Sequence, residues 1–257
     1  MRLAGLVEYD GAGFSGWARQ PGRRTVEGEV SRALETVLRH PVRLTAAGRT
    51  DAGVHASGQV VSFDARDGTD PGTLAYKASA VLSEDVALRR CVAAPPGFDA
   101  RRDAASRSYE YRIVNAPVRS PLRRRRAVHV GYRLDERLLG EAARRVLGVH
   151  DFRAFTPAKS HHVRFERAVS ESRWERCGDL LVYRITADAF LYNMVRALVG
   201  TMLEVARGRR DLASFEELLG GARRAEGGPT APARGLTLVR VRYAVEEVEE
   251  GLWTPGC

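Results

Sequence analysis

The chain has 257 residues, 44% of them hydrophobic, which is enough for one large domain or two smaller ones without a stabilising metal or disulfide. Lysine and arginine total 41 against 32 acidic residues, giving a net charge of +9, so a polyanionic partner is favoured, nucleic acid before an anionic membrane surface. Three widely separated cysteines and the lack of a long apolar stretch argue against a disulfide framework, a zinc site and a membrane-spanning protein, and predict a cytoplasmic location.

The first part of the chain alternates strand and helix patterns. Strands are predicted at residues 3–9, 41–47, 59–63 and 86–92, and helices at residues 26–38 and 73–82. Thr25 is a suitable N-cap for the first helix, and Asp70 followed by Pro71 is a suitable start for the second. The resulting order, β-α-β-β-α-β, is that of a ferredoxin-like, split βαβ unit.

A similar order follows a proline- and glycine-containing linker at residues 94–97. Strands are predicted at residues 106–114, 127–132, 165–176, 180–187 and 236–243. One helix is predicted to start at Asp135, the longest helix to span residues 189–206, and a short helix to span residues 214–219. The fold class is therefore α+β, with two ferredoxin-like halves, largely antiparallel sheets and a central cleft. The predicted domains are 1–97, 98–245 and a loose acidic tail at 246–257.

A loop between two predicted strands of the first half carries an acidic residue among small ones. It reads Gly48-Arg49-Thr50-Asp51-Ala52-Gly53-Val54-His55. Glycines let such a loop turn tightly and let another molecule come close, and Arg49 places a permanent positive charge near the acid. A short string of this kind is more often an ordinary turn with a solvated aspartate.

The longer string GRTDAGVHASGQVVSF resembles the signature of the tRNA pseudouridine synthase A family, in which this aspartate is the catalytic nucleophile. Further segments of the chain match the family pattern in the same order: Glu8-Tyr9-Asp10-Gly11 with Phe14-Ser15-Gly16-Trp17-Ala18-Arg19-Gln20, Phe98-Asp99-Ala100-Arg101, Ser106-Arg107-Ser108-Tyr109-Glu110-Tyr111, Asp151-Phe152-Arg153-Ala154-Phe155, Phe190-Leu191-Tyr192-Asn193-Met194-Val195-Arg196 and Gly235-Leu236-Thr237-Leu238. The resemblance implies the pseudouridine synthase fold and isomerisation of uridine to pseudouridine at positions 38–40 of the tRNA anticodon stem-loop.

The resemblance also implies a role for each matching residue. Asp51 is the catalytic carboxylate, Arg196 its buried charge partner, and Tyr109 stacks on the target base, with proton transfer at C2′ of the sugar left open as a second role. Substrate-binding roles fall to Arg49, Arg101 and Leu238. The residues themselves leave two routes open for Asp51: attack on C1′, or a glycal route that begins with proton loss at C2′.

The family relationship further implies partners and excludes others. Its members act on tRNA as homodimers, so we expect a homodimer that binds tRNA, with no membrane and no DNA partner. Because the reaction involves no redox change and no external energy source, no cofactor is expected, and no metal either. His55 is interpreted as structural, because the histidines are scattered and no ligand cluster accompanies it.

Other interpretations of the same residues compete with these. An arginine beside an apolar helix face, such as Arg196, is usually solvated, and alternating tyrosines such as Tyr109 and Tyr111 are usually core residues. The chief alternative function is a non-catalytic RNA-binding module with ferredoxin-like sheets. A glycoside hydrolase is disfavoured because Asp51 has no evident acidic partner. The arginines within residues 119–126 form either a solvated run or a tRNA contact.

Overall fold

The computed structural model describes residues 1–160 and 162–253, and within them it has ten strands and six α-helices. In chain order these are β1 (Arg2–Tyr9), α1 (Val26–Leu38), β2 (Thr45–Ala46), β3 (His55–Asp64), α2 (Pro71–Val81), β4 (Val86–Ala94), β5 (Ala104–Val114), β6 (Val128–His129), α3 (Glu136–Arg145), β7 (Gly148–Asp151), β8 (Glu166–Cys177), β9 (Leu180–Ala187), α4 (Met194–Ala206), α5 (Leu212–Glu217), β10 (Leu236–Tyr243) and α6 (Glu246–Trp253). The predicted α+β class is confirmed.

The chain divides into two compact units. Unit 1 comprises residues 1–106 together with 238–257, and unit 2 comprises residues 107–237. Residues 238–245 and α6 thus belong with the N-terminal elements. The sequence pattern instead predicts a second domain at residues 98–245 and a separate tail at residues 246–257. Among the described residues, none of the helices has the length and hydropathy needed to cross a bilayer.

Unit 1 contains the predicted order β1-α1-β2-β3-α2-β4. Its strands are arranged β4-β1-β3, with β2 and β10 on the other side of β3, and the pairings of β1 with β3 and β4 are antiparallel. Both helix starts are as predicted: the Thr25 side chain accepts a hydrogen bond from the amide of Gly28, and the Asp70 side chain accepts one from Thr73. The helices cover a core that includes Leu3, Leu34 and Phe63, each fully buried.

Unit 2 follows the order β5-β6-α3-β7-β8-β9-α4-α5. Its sheet is arranged β5-β9-β8-β7, and the hairpin of β8 and β9 turns at residues 177–180 as predicted. Asp135 caps α3 by accepting a hydrogen bond from the amide of Leu138. The core contains Tyr111, Phe152, Phe155 and Tyr183, all fully buried.

Several predicted elements have different bounds. The strand predicted at 41–47 is reduced to β2, since only Thr45 and Ala46 pair with β3, opposite Ser62 and Val61. The strand predicted at 127–132 is reduced to β6. The helix predicted from residue 189 begins at Met194, because Asn193 has a φ of +63° and cannot continue a helix; at 13 residues, α4 equals α1 in length.

The acidic tail was predicted to be loose, and for residues 246–253 this is wrong. These residues form α6, with Val248 and Leu252 one helical turn apart and almost fully buried. The Glu249 carboxylate accepts hydrogen bonds from the amide of Tyr243 and from the Arg240 guanidinium, which fix the start of the helix. Residues 254–257 lie outside the described residues.

Candidate active site

Asp51 lies on the loop between β2 and β3 of unit 1 and is half-buried. The loop turns at this residue, because the Val54 amide donates a hydrogen bond of 3.1 Å to the carbonyl oxygen of Asp51. Gly53 has a φ of +78°, a conformation that residues with a side chain rarely adopt. The predicted tight turn is therefore present, and its geometry depends on the glycine two residues after the acid.

A second loop, at residues 10–17, packs directly against the Asp51 loop. A Cβ atom on Gly11 would lie 2.0 Å from the carbonyl oxygen of Val54, and one on Gly16 would lie 3.0 Å from that of Thr50. The amide of Trp17 donates a hydrogen bond of 3.0 Å to the Thr50 carbonyl oxygen. Only glycine permits these close approaches, so the backbone on both sides of Asp51 is held by neighbouring backbone.

Buried polar side chains add to this support. The hydroxyls of Tyr9 and Thr50 share a hydrogen bond of 2.7 Å, and the Gln59 side-chain amide donates one of 2.6 Å to the carbonyl of Gly48. Burial raises the pKa of Tyr9 to about 12, although its hydrogen bond with Thr50 acts in the opposite direction. The sequence-based interpretation assigned no role to Tyr9, Thr50 or Gln59, although all three lie within the family strings that contain Asp51 and Gly11.

His55 is buried at the start of β3. Its Nδ1 atom lies 3.1 Å from the amide nitrogen of Gly11 and 3.1 Å from a carboxylate oxygen of Asp10. The side chain thus joins the two loops, in agreement with its predicted structural role. Among the described residues there is no cluster of three or more His, Cys, Asp or Glu side chains arranged to hold a metal ion.

Two of the predicted substrate-binding residues, Arg49 and Arg101, line one cleft in unit 1. Both side chains are exposed, and the cleft has a volume of about 610 Å³. The cleft is also lined by Trp17, Glu27, Arg43, Leu44, Thr45, Ala46, Asp99 and Arg102. Four guanidinium groups and two carboxylates therefore surround it, which makes it a site suited to an anionic ligand. Leu238, also in unit 1, is fully buried on β10.

Tyr109 lies on β5 of unit 2 and is buried, with its ring in edge-to-face contact with Phe190 at a centroid distance of 4.9 Å. Tyr111 lies two residues further on, so both side chains share one face of the strand as predicted. The Tyr111 hydroxyl donates a hydrogen bond of 2.8 Å to the carbonyl of Pro232, and burial raises the pKa of this tyrosine.

Arg196 lies in the first turn of α4 and is half-buried. Its Nε donates to the carbonyl of Ala231 and its Nη1 to Oδ1 of Asn193, both at 2.8 Å. The segment carrying Ala231 packs tightly on α4, where a Cβ atom on Gly200 would lie 1.7 Å from the carbonyl oxygen of Pro229. The guanidinium is thus oriented by backbone and amide acceptors, and it is not the freely solvated arginine that helix position alone would favour.

Comparison with known proteins adds a family relationship. A family model described as tRNA pseudouridine synthase matches residues 6–101 and 142–244. A protein named tRNA pseudouridine synthase A from Methylococcus capsulatus is 42% identical over 96% of this chain and 91% of its own length. A protein of the same name from Frankia casuarinae is 44% identical over 95% of this chain and 89% of its own length. Another, from Brevibacillus brevis, is 38% identical over 94% of this chain and 99% of its own length.

Proposed function

The chain belongs to the tRNA pseudouridine synthase family, and on this premise we propose that it isomerises uridine to pseudouridine in the anticodon stem-loop of tRNA, at positions 38–40. The observation that carries the proposal is the Asp51 loop, in which the family motif places a half-buried carboxylate. The backbone of this loop is held by close contacts with Gly11 and Gly16 and by the buried hydrogen bond between the hydroxyls of Tyr9 and Thr50. The enzyme class is an isomerase, an intramolecular transferase.

The reaction conserves every atom of the nucleoside. The C1′–N1 bond of uridine breaks, the uracil turns within the site, a C1′–C5 bond forms, C5 loses its proton and N1 gains one. A group beside the sugar must compensate the charge that develops at C1′, and an ionised carboxylate does so either as a nucleophile or as a base. We assign this role to Asp51 as the catalytic nucleophile. No cofactor takes part in this scheme.

The remaining roles follow the family motif and the local geometry within each unit. Arg196 is proposed as the charge partner of Asp51, and the two hydrogen bonds that orient its guanidinium support that role. Tyr109 is proposed to stack on the target base and Leu238 to supply apolar contact. Arg49 and Arg101 are proposed to bind the RNA, which is supported by the cleft that they line together with Arg43 and Arg102.

The partners are proposed on the same basis. The proposed substrate is tRNA, because a net charge of +9 favours binding to a polyanion. The protein is proposed to act in the cytoplasm as a homodimer. Light scattering of the purified protein, with and without tRNA, measures the assembly. A mass that corresponds to one chain under both conditions would contradict the dimer and leave the proposed reaction intact.

The test of the proposed reaction uses uridine-labelled tRNA transcript without cofactor or metal, followed by mapping of pseudouridine. The wild-type protein should form pseudouridine in the anticodon stem-loop, and Asp51→Asn, which keeps the shape and loses the charge, should form none while binding tRNA with nearly unchanged affinity. Asp64→Asn is a matched control, because this exposed acid lies at the opposite end of β3 from the Asp51 loop. Wild-type turnover in Asp51→Asn would refute the assignment.

A further inference from the structure

A second basic cleft lies on the α1 side of unit 1. It has a volume of about 410 Å³ and is lined by Arg19, Gln20, Gly22, Arg23, Thr25, Gly28, Arg32 and Glu35. Three guanidinium groups thus face a single carboxylate, that of Glu35, which lies 3.7 Å from Arg19. Arg19 and Gln20 belong to the matching family segment at residues 14–20, but the resemblance assigns none of the residues of this cleft to catalysis or substrate binding.

The two clefts of unit 1 adjoin through one short segment. Trp17 lines the larger cleft and Arg19, two residues later, lines the smaller one. Glu27 holds this segment on α1, because its amide donates to the carbonyl of Trp17 at 3.0 Å and its carboxylate accepts from the amide of Arg19 at 3.0 Å. The arginines of both clefts therefore form a basic track, which we define as Arg19, Arg23, Arg32, Arg43, Arg49, Arg101 and Arg102.

Of the acidic residues beside the basic track, Asp103 pairs with the guanidinium of Arg102 at 2.9 Å, whereas Asp99 and Glu27 bind backbone amides. The Asp99 carboxylate accepts hydrogen bonds of 2.9 Å from the amides of both Arg101 and Arg102, just as the Glu27 carboxylate accepts one from the Arg19 amide. Within residues 1–160 and 162–253, no carboxylate forms an ion pair with Arg23, Arg32, Arg43 or Arg49. The charge of these four side chains is therefore not neutralised within the fold, and it favours an external anion.

We propose that the basic track binds successive phosphates of the tRNA backbone, and that its α1 arm, formed by Arg19, Arg23 and Arg32, binds nucleotides beyond those around the target uridine. The proposal rests on the proposed function, which places the target near Asp51, and extends the RNA contact along α1. Arginine suits the role because its planar fork donates two parallel hydrogen bonds to phosphate oxygens. A row of such groups recognises a regular polyanion independently of sequence.

The first test removes two arginines of the α1 arm. We expect Arg23→Ala/Arg32→Ala to bind tRNA more weakly and to lower the slope of log affinity against log salt by about 2, because each arginine neutralises one phosphate. Arg66→Ala is the control, since this exposed arginine follows the end of β3 that is remote from the Asp51 loop, and it should retain the wild-type slope. A wild-type slope and affinity in the double variant would overturn the proposal.

A second test changes the charge of the arm in the opposite direction. Glu35→Gln keeps a side-chain oxygen for the amide of Val42 but removes the carboxylate beside Arg19. If the arm binds phosphates, this variant binds tRNA more tightly than wild type at moderate salt. Equal affinity would count against the proposal, as would a normal salt slope in the double variant.

The proposed reaction and the basic track fail in different ways. If the wild-type protein binds tRNA with the predicted salt dependence but forms no pseudouridine, the proposed function is wrong and the track stands. If it forms pseudouridine while Arg23→Ala/Arg32→Ala keeps the wild-type affinity and slope, the track is wrong and the proposed function stands.

Discussion

The hydroxyl of Tyr9 lies 2.7 Å from the hydroxyl of Thr50, the residue that immediately precedes Asp51. Both side chains are buried, at 3% and 7% exposure, and the Thr50 carbonyl also accepts the hydrogen bond from the amide of Trp17. Thr50 is thus held at its side chain by β1 and at its backbone by the loop after β1. The position of the neighbouring carboxylate depends on these two hydrogen bonds.

Thr50→Val should lower both stability and turnover. Valine keeps the shape and removes the hydroxyl, so the Tyr9 hydroxyl stays buried without its Thr50 partner, at a cost of about 1–3 kcal/mol. Urea denaturation measures the loss, and steady-state kinetics should show a lower kcat with little change in KM. Tyr9→Phe/Thr50→Val should recover part of the stability, because both polar groups are then absent. Additive losses in the double variant would contradict the pairing.

Arg196→Ala should be inactive and less stable. The change removes two hydrogen bonds from a charged donor, each worth about 1.5–3 kcal/mol, and takes away the proposed charge partner of Asp51. Arg196→Lys should recover folding better than activity, because lysine restores the charge without the planar fork. Arg209→Ala, an exposed arginine shortly after α4, is the control. Wild-type stability and rate in Arg196→Ala would rule out the assignment.

The stability of the protein should fall as the pH rises from about 10 to about 12. The pKa of Tyr9 is about 12 in the fold against 10.0 for an ordinary tyrosine, so the unfolded chain loses this proton first and is favoured above pH 10. In Tyr9→Phe the free energy of unfolding should fall less steeply between pH 10 and 12, because about one proton fewer per molecule is released on unfolding. Tyr76→Phe, whose parent side chain is 79% exposed on α2, is the comparison. Equal slopes for Tyr9→Phe and wild type would contradict the linkage.

The basic run that ends at residue 126 of unit 2 supplies a further test of tRNA binding. Arg123 forms an ion pair with Asp179, whereas Arg124 and Arg125 are exposed, so the informative variant is Arg124→Ala/Arg125→Ala. If these residues contact phosphates, binding weakens for any tRNA sequence and the salt slope falls by about 2. An unchanged slope would identify the run as a solvated loop.

The elements whose signals are local could be predicted from the amino-acid sequence. The caps at Thr25, Asp70 and Asp135 begin helices where predicted, because a side-chain oxygen meets a backbone amide three residues later. The Asp51 turn and the shared face of Tyr109 and Tyr111 were equally predictable, since a glycine requirement and a two-residue strand period are written in neighbouring residues.

Features that depend on partners distant in the chain could not be predicted in this way and are visible in the folded protein. Residues 246–253 look like a loose acidic tail until Val248 and Leu252 are buried in unit 1, and the Tyr9–Thr50 hydrogen bond joins residues 41 positions apart. The basic track likewise unites arginines from the segments before and within α1, around β2 and after β4. Burial and hydrogen bonding between remote segments arise from packing in three dimensions, which local spacing along a chain does not encode.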